Sequence, residues 1–60
     1  MKMKIVKTYC GNLEKTVEEK YIKSIIIGTS YEGEIKLQIT EIDGKLTTNF
    51  VDRTCNIILD

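Results

Sequence analysis

The longest run of strand-like sequence in this 60-residue chain lies at residues 24–51 and reads SIIIGTSYEGEIKLQITEIDGKLTTNFV. Apolar and polar side chains alternate along residues 35–40, and a period of two is typical of a strand with one buried face. Two turn sequences, Tyr-Glu-Gly at 31–33 and Asp-Gly at 43–44, interrupt the run. The run therefore predicts three antiparallel strands joined by two tight turns.

Loop length decides which side chains of this meander share a face, because a shift of one residue moves every side chain of a strand to the other face. Asp-Gly predicts a two-residue turn, which pairs Ile42 with Lys45 and brings Leu37 opposite Phe50. At 31–33 a three-residue loop brings Ile27 opposite Leu37, whereas a two-residue loop turns Ile27 to the other face. We favour the three-residue loop because it collects the most apolar residues on one face. These residues are Ile25, Ile27, Ile35, Leu37, Ile39, Leu46 and Phe50.

The opposite face of the predicted sheet is the candidate binding surface. It carries apolar side chains in a field of threonine and asparagine, a composition that suits a dimer contact or a site for a target protein. The candidate interface consists of Ile26, Ile42, Val51, Thr40, Thr47 and Asn49. The alternative is a hydrated face with scattered apolar residues, which is common on protein surfaces.

The segments on either side of the meander complete the predicted fold. Residues 2–9 predict a first strand, and residues 55–59 predict a short last strand. Between them, Asn12 is a good N-cap, and Leu13, Val17 and Tyr21 recur at helical spacing, which predicts a helix over 13–22. The predicted fold is α+β, a small single antiparallel β-sheet with the order β-α-β-β-β, a short fifth strand at the C-terminus and one helix packed on one face. The alternative is one long strand over 16–30 in an all-β small barrel or curled sheet.

Size and charge favour self-association. The length of the chain predicts a single domain over residues 1–60. A chain this short buries only about 60% of the surface that it exposes when unfolded. Residues 1–30 hold six lysines and three acids, a net charge of +3, whereas residues 31–60 hold three bases and six acids, a net charge of −3. We therefore expect a homodimer, because a second subunit adds buried surface and the two halves attract.

The composition excludes most catalytic chemistry. Histidine is absent, which removes the commonest general base and the usual catalytic zinc site. Cys10 and Cys55 are far apart in the chain, and neither has a nearby second metal ligand. The first nine residues do not resemble a signal peptide, so we expect free thiols in a reducing compartment. We predict no enzyme activity, no catalytic residues, no metal and no cofactor.

The remaining function classes are binding classes. The net charge is zero and the chain has one arginine, which argues against a protein whose main task is to bind phosphate backbones. Ten isoleucines and eight lysines, with no alanine or proline, are typical of an AT-rich genome. We predict a cytoplasmic protein-binding module without membrane contact, most concretely a phage or mobile-element inhibitor that binds a host protein stoichiometrically. The alternatives are a nucleic-acid-binding regulator, in which five N-terminal lysines bind the phosphates, and a small accessory subunit of a larger complex.

Overall fold

The computed structural model describes all 60 residues and consists almost entirely of β-strands. The elements are β1 (Lys2–Thr8), a 3₁₀ turn (Cys10–Asn12), β2 (Glu14–Tyr21), β3 (Ser24–Thr29), β4 (Ile35–Thr40), β5 (Leu46–Val51) and β6 (Cys55–Leu59). They form two antiparallel sheets of three strands each. The first sheet has the order β2-β1-β6, and the second sheet has the order β3-β4-β5. The structure contains no helix with the length and apolar composition of a membrane-spanning segment.

The predicted helix over 13–22 is wrong, and with it the predicted α+β fold. Residues 14–21 form β2, which pairs with β1 from Lys2 opposite Tyr21 to Thr8 opposite Glu14. The three apolar residues that recur at helical spacing all lie exposed to solvent, so their spacing does not reflect a packed face. The alternative is also wrong in its details, because residues 16–30 are divided between β2 and β3 and the two sheets form no closed barrel. Only its nearly all-β content agrees with the structure.

Pairing with β1 explains why residues 14–21 are extended. A helix of about ten residues is marginal without tertiary packing, whereas β1 supplies hydrogen-bond partners along the segment. β2 lies at the edge of its sheet, where lysine and glutamate are well tolerated, and Lys2 forms an ion pair of 3.1 Å with Glu19. The register shifts between Ile5 and Val6, so that Val17 has no partner in β1 and forms a β-bulge.

The chain crosses between the two sheets at two corners. At the first corner, the Ile22 N–H donates to the Met1 carbonyl (2.8 Å) in the first sheet, and the Lys23 N–H donates to the Thr40 carbonyl (2.8 Å) in the second. At the second corner, a turn at 52–54 leads from β5 to β6. Strands that change sheets at corners are typical of orthogonally packed β-sheets. The Cα atoms span 38 × 26 × 13 Å, so the thin dimension accommodates two layers about 10 Å apart.

The hydrophobic core lies between the inner faces of the two sheets. Its buried members are Met3, Ile5, Ile22, Leu37, Ile39 and Cys55, and Ile25, Ile35, Val51 and Ile57 pack against them while remaining partly exposed. Only 7 of the 60 residues are buried, so many large apolar side chains remain in contact with solvent. The surface therefore carries many large apolar side chains.

The first hairpin has the predicted register. The Ser30 N–H donates to the Glu34 carbonyl (2.7 Å), which leaves a three-residue loop at 31–33. Gly33 occupies the left-handed region at φ 84°. Ile27 pairs with Leu37, and the prediction for this hairpin is confirmed.

The predicted register of the second hairpin is wrong by one residue. The Glu41 N–H donates to the Lys45 carbonyl (2.8 Å), so the loop contains three residues at 42–44 rather than two. A type I′ turn needs positive φ at both central positions, but within this loop only Gly44 has it, at φ 90°. Leu37 therefore pairs with Asn49 instead of Phe50, and the two faces of β5 exchange places.

Candidate protein interface

The outward-facing side of the second sheet, here called the outer face, is a regular grid of nine residues. Strand pairing aligns them in three rows across β3, β4 and β5. The rows are Gly28–Lys36–Phe50, Ile26–Gln38–Thr48 and Ser24–Thr40–Leu46. Lysine 36 is the only charged residue among the nine. The grid is thus a nearly uncharged surface built on paired backbone.

Large apolar side chains project from opposite ends of the outer face. Ile26 is 68% exposed and Leu46 is 77% exposed, and they border a depression of about 240 Å³ whose floor includes Gln38. At the other end, Phe50 is 53% exposed and Tyr31 from the β3–β4 loop is fully exposed. They border a second depression of about 510 Å³. Aromatic and aliphatic side chains beside shallow pockets are typical anchors of protein interfaces.

The residues of the predicted interface lie in three different parts of the structure. Ile26 and Thr40 lie on the outer face, as predicted. Ile42 is exposed in the β4–β5 loop, because that loop is one residue longer than the sequence indicates. The last three predicted residues, Thr47, Asn49 and Val51, turn to the inner side of β5. Val51 packs against the core, and Thr47 and Asn49 are partly buried.

Leu46 and Phe50 belong to the outer face, although the sequence predicted them in the core. The predicted two-residue turn placed them opposite the buried residues of β4. One sequence signal supports the observed register, since a loop of 42–44 turns Val51 inward, toward Ile35. That loop also allows the Asp43 carboxylate to accept the Lys45 N–H (2.9 Å).

A second concave region lies between β2 and β5, where the two sheets are open to solvent. This cleft of about 580 Å³ is lined by Val17, Glu18 and Lys20 on one side and by residues 47–51 along the edge of β5 on the other. The Lys20 ammonium lies 2.7 Å from the Glu41 carboxylate and 3.3 Å from that of Glu18. The hydrogen bond with Glu41 raises the pKa of Lys20 above its usual value. The Lys20 ammonium is therefore paired with two carboxylates rather than free to bind a ligand.

Other ionisable side chains lie at the turn between β5 and β6 and at the two cysteines. The Asp52 carboxylate accepts hydrogen bonds from the Lys7 ammonium (2.8 Å) and from the Thr54 hydroxyl and backbone N–H, which hold the Asp52 pKa well below its usual range. Both cysteines are free, and burial raises the pKa of the Cys55 thiol. Cys10 lies exposed on the 3₁₀ turn. No three side chains of histidine, cysteine, aspartate or glutamate converge on a point where a metal ion could bind.

The N-terminal lysines do not line one surface. Lys2 pairs with Glu19, Lys7 pairs with Asp52, and Lys20 pairs with Glu18 and Glu41. Lys2 and Lys7 lie on opposite faces of the first sheet, because they are five positions apart along β1 and side chains alternate between faces. The positive charges of Lys2, Lys7 and Lys20 are therefore each paired with a nearby carboxylate.

Comparison with known protein families, with curated proteins and with solved structures finds no match to this chain. Function is therefore inferred from the geometry of the outer face and from the chemistry of its residues.

Proposed function

We propose that this protein is a non-enzymatic binding module that contacts a target protein through the outer face of the second sheet. The observation that carries the proposal is the position of Ile26, Leu46 and Phe50, three large apolar side chains that are more than half exposed on one sheet face. Apolar area removed from water contributes about 25 cal/mol per Å². A complex in which the partner covers all three side chains therefore gains stability from each of them.

The surroundings of these three side chains suit a protein ligand. Gln38, Thr40 and Thr48 lie between them and provide hydrogen-bond donors and acceptors without a fixed charge. Interfaces between proteins commonly combine large apolar anchors with neutral polar groups and few charges at the centre. A surface that binds phosphates would instead present several unpaired lysines or arginines.

The most concrete form of this function is stoichiometric inhibition of a host protein by a phage or mobile-element product. The composition supports this form, since ten isoleucines and eight lysines are typical of an AT-rich genome. A small inhibitor needs only a stable scaffold and one contact surface, and the outer face provides such a surface. Inhibition of a host enzyme by equimolar protein would distinguish this role from that of an accessory subunit.

The experiment is affinity capture from a lysate of a low-GC bacterium with three matched proteins. The wild-type chain, Leu46→Glu and Tyr21→Glu are used as bait, with and without nuclease. Both substitutions place a glutamate at a mostly exposed position of a β-strand, but Tyr21 lies in the first sheet. We expect a partner that wild type and Tyr21→Glu retain, that Leu46→Glu loses, and that nuclease does not release.

Two results would contradict the proposal. Capture that Leu46→Glu does not weaken would show that the outer face is not the contact surface. Capture that nuclease abolishes, and that falls steeply with salt, would indicate nucleic acid binding instead.

A further inference from the structure

The outer edge of β3 is an unpaired strand edge. β3 pairs with β4 on one side only, from Ser24 opposite Thr40 to Thr29 opposite Ile35. The Ser30 N–H points to β4, and N–H directions alternate along a strand, so Ile25, Ile27 and Thr29 direct their N–H and C=O groups away from β4. No hydrogen bond outside the strand ladders involves these three residues.

The composition of β3 lacks the usual protection of an edge strand. Its sequence, SIIIGT, contains no charge and no proline. The edge strand β2 differs, because it carries five charged residues and a bulge. The edge strand β5 borders the cleft next to β2 and carries Thr47, Thr48 and Asn49. β3 thus combines free backbone groups with exposed β-branched side chains.

Antiparallel pairing of two β3 strands about a two-fold axis at Ile27 gives a hydrogen-bond partner to the outward N–H and C=O groups of Ile25, Ile27 and Thr29. Ile27 then lies opposite Ile27 of the second copy, and Ile25 lies opposite the second copy's Thr29. All three edge-facing residues form hydrogen-bonded pairs in this register. Centring the axis at Ile26 instead would require the N–H of Lys23, which already donates to the Thr40 carbonyl (2.8 Å).

The side chains complement each other in the same register. On the inner side, the two Ile27 side chains, each 48% exposed, cover one another and connect the two cores. On the outer face, Ile26 lies opposite Gly28 of the second copy, and no atom lies within 4 Å of the position where a Gly28 Cβ would be. Ile26 therefore meets open space above a backbone. β6 is an edge strand of the first sheet, and it complements itself less well. Its equivalent pairing about Ile57 would place the polar side chain of Asn56 opposite the apolar side chain of Ile58.

We propose that the free edge of β3 binds a second copy of this chain, so that two second sheets join into one six-stranded antiparallel sheet. The two outer faces then form one continuous surface. This inference rests on the edge of β3 and does not depend on the target that the outer face binds.

The test is a charge swap at the two-fold axis, measured by sedimentation equilibrium of the full chain. Ile27→Lys and Ile27→Glu each place like charges directly opposite one another, and each is expected to weaken self-association by about tenfold or more. Mixing the two variants in equal amounts places lysine opposite glutamate and is expected to restore the dimer. Restoration also shows that both variants fold. Ile58→Lys, at a position 49% exposed on β6, is the matched control and is expected to dimerise like wild type.

Three results would overturn the inference. The first is a wild-type chain that stays monomeric up to millimolar concentration. The second is a dimer that survives both single substitutions at Ile27. The third is a dimer that Ile58→Lys dissociates while the Ile27 variants retain it, which would assign the contact to β6.

Discussion

Truncation of Leu37 and of Leu46 to alanine, one at a time, is expected to lower the free energy of unfolding by very different amounts. Leu37 lies in the central strand β4, is 0% exposed and belongs to the core cluster. Replacing a buried leucine by alanine costs about 2–5 kcal/mol, because it removes buried apolar atoms and leaves a cavity. A 60-residue domain has a total stability of about 3–9 kcal/mol. Leu37→Ala is therefore expected to remove a large part of the stability.

Leu46 is 77% exposed, so only about a quarter of the residue is removed from water. Complete burial of a leucine side chain contributes about 2 kcal/mol, and a quarter of that is about 0.5 kcal/mol. Leu46→Ala is therefore expected to cost about 0.5 kcal/mol or less. The two substitutions delete the same atoms from strands that pair with each other, so the difference between them reports burial alone.

Urea denaturation followed by circular dichroism gives both values from the shift in midpoint at constant slope. The measurement is made at low protein concentration, because association of the folded chain would add to the apparent stability. A Leu46→Ala variant that loses as much stability as Leu37→Ala would refute the reasoning. Such a result would place Leu46 in the core and would require the two-residue turn at 43–44.

Three further predictions follow from individual positions. The buried Thr47 hydroxyl has no hydrogen-bond partner, so Thr47→Val is expected to raise the free energy of unfolding by about 1 kcal/mol in urea denaturation, and a loss would contradict its inward orientation. Gly44 has φ 90°, so Gly44→Ala is expected to cost about 1–2 kcal/mol by the same assay; an unchanged midpoint would argue against the left-handed loop. The hydrogen bond from Lys7 lowers the pKa of Asp52 in the folded state, so its stabilising effect is complete above the ordinary aspartate pKa of about 3.9 and is lost as the pH falls below it. Asp52→Asn is expected to be less stable at neutral pH and to show a weaker acid dependence, whereas identical pH profiles would exclude this contribution.

Much of the strand content was predictable from local patterns. The alternation along 35–40 and the apolar runs at 24–29 and 55–59 coincide with β4, β3 and β6. The register of the first hairpin followed from hydrophobic matching, because only the three-residue loop aligned Ile27 with Leu37. Such signals act between residues close in the chain, so they do not depend on the rest of the fold.

The error at 13–22 has a different origin. Leu13, Val17 and Tyr21 satisfied a helical period, and lysine and glutamate have low strand propensity. The segment is nevertheless a strand, because β1 supplies its hydrogen bonds and an edge position tolerates its charges. No local signal distinguishes a short amphipathic helix from a charged edge strand when the deciding partner is another strand.

Part of the candidate interface was predictable from local sequence patterns. Ile26 and Thr40 were assigned to the outer face because the first hairpin obeys its local pattern. Thr47, Asn49 and Val51 were assigned to the wrong face because the Asp-Gly signal underestimates the second loop by one residue. Because side chains alternate between the two faces of a strand, a register error of one residue moves every side chain of β5 to the opposite face.

The amino-acid sequence by itself determined the strands of the meander, the two glycine turns, the absence of histidine and the uncharged character of β3. These features follow from backbone preferences and side-chain chemistry, which each segment carries alone. Only the tertiary structure decided that residues 14–21 are extended, that the chain turns between two sheets at 22–23, and that Leu46 and Phe50 lie outside the core. These features depend on hydrogen bonds and packing between segments distant in the chain, such as the bonds of Ile22 to Met1 and of Lys23 to Thr40.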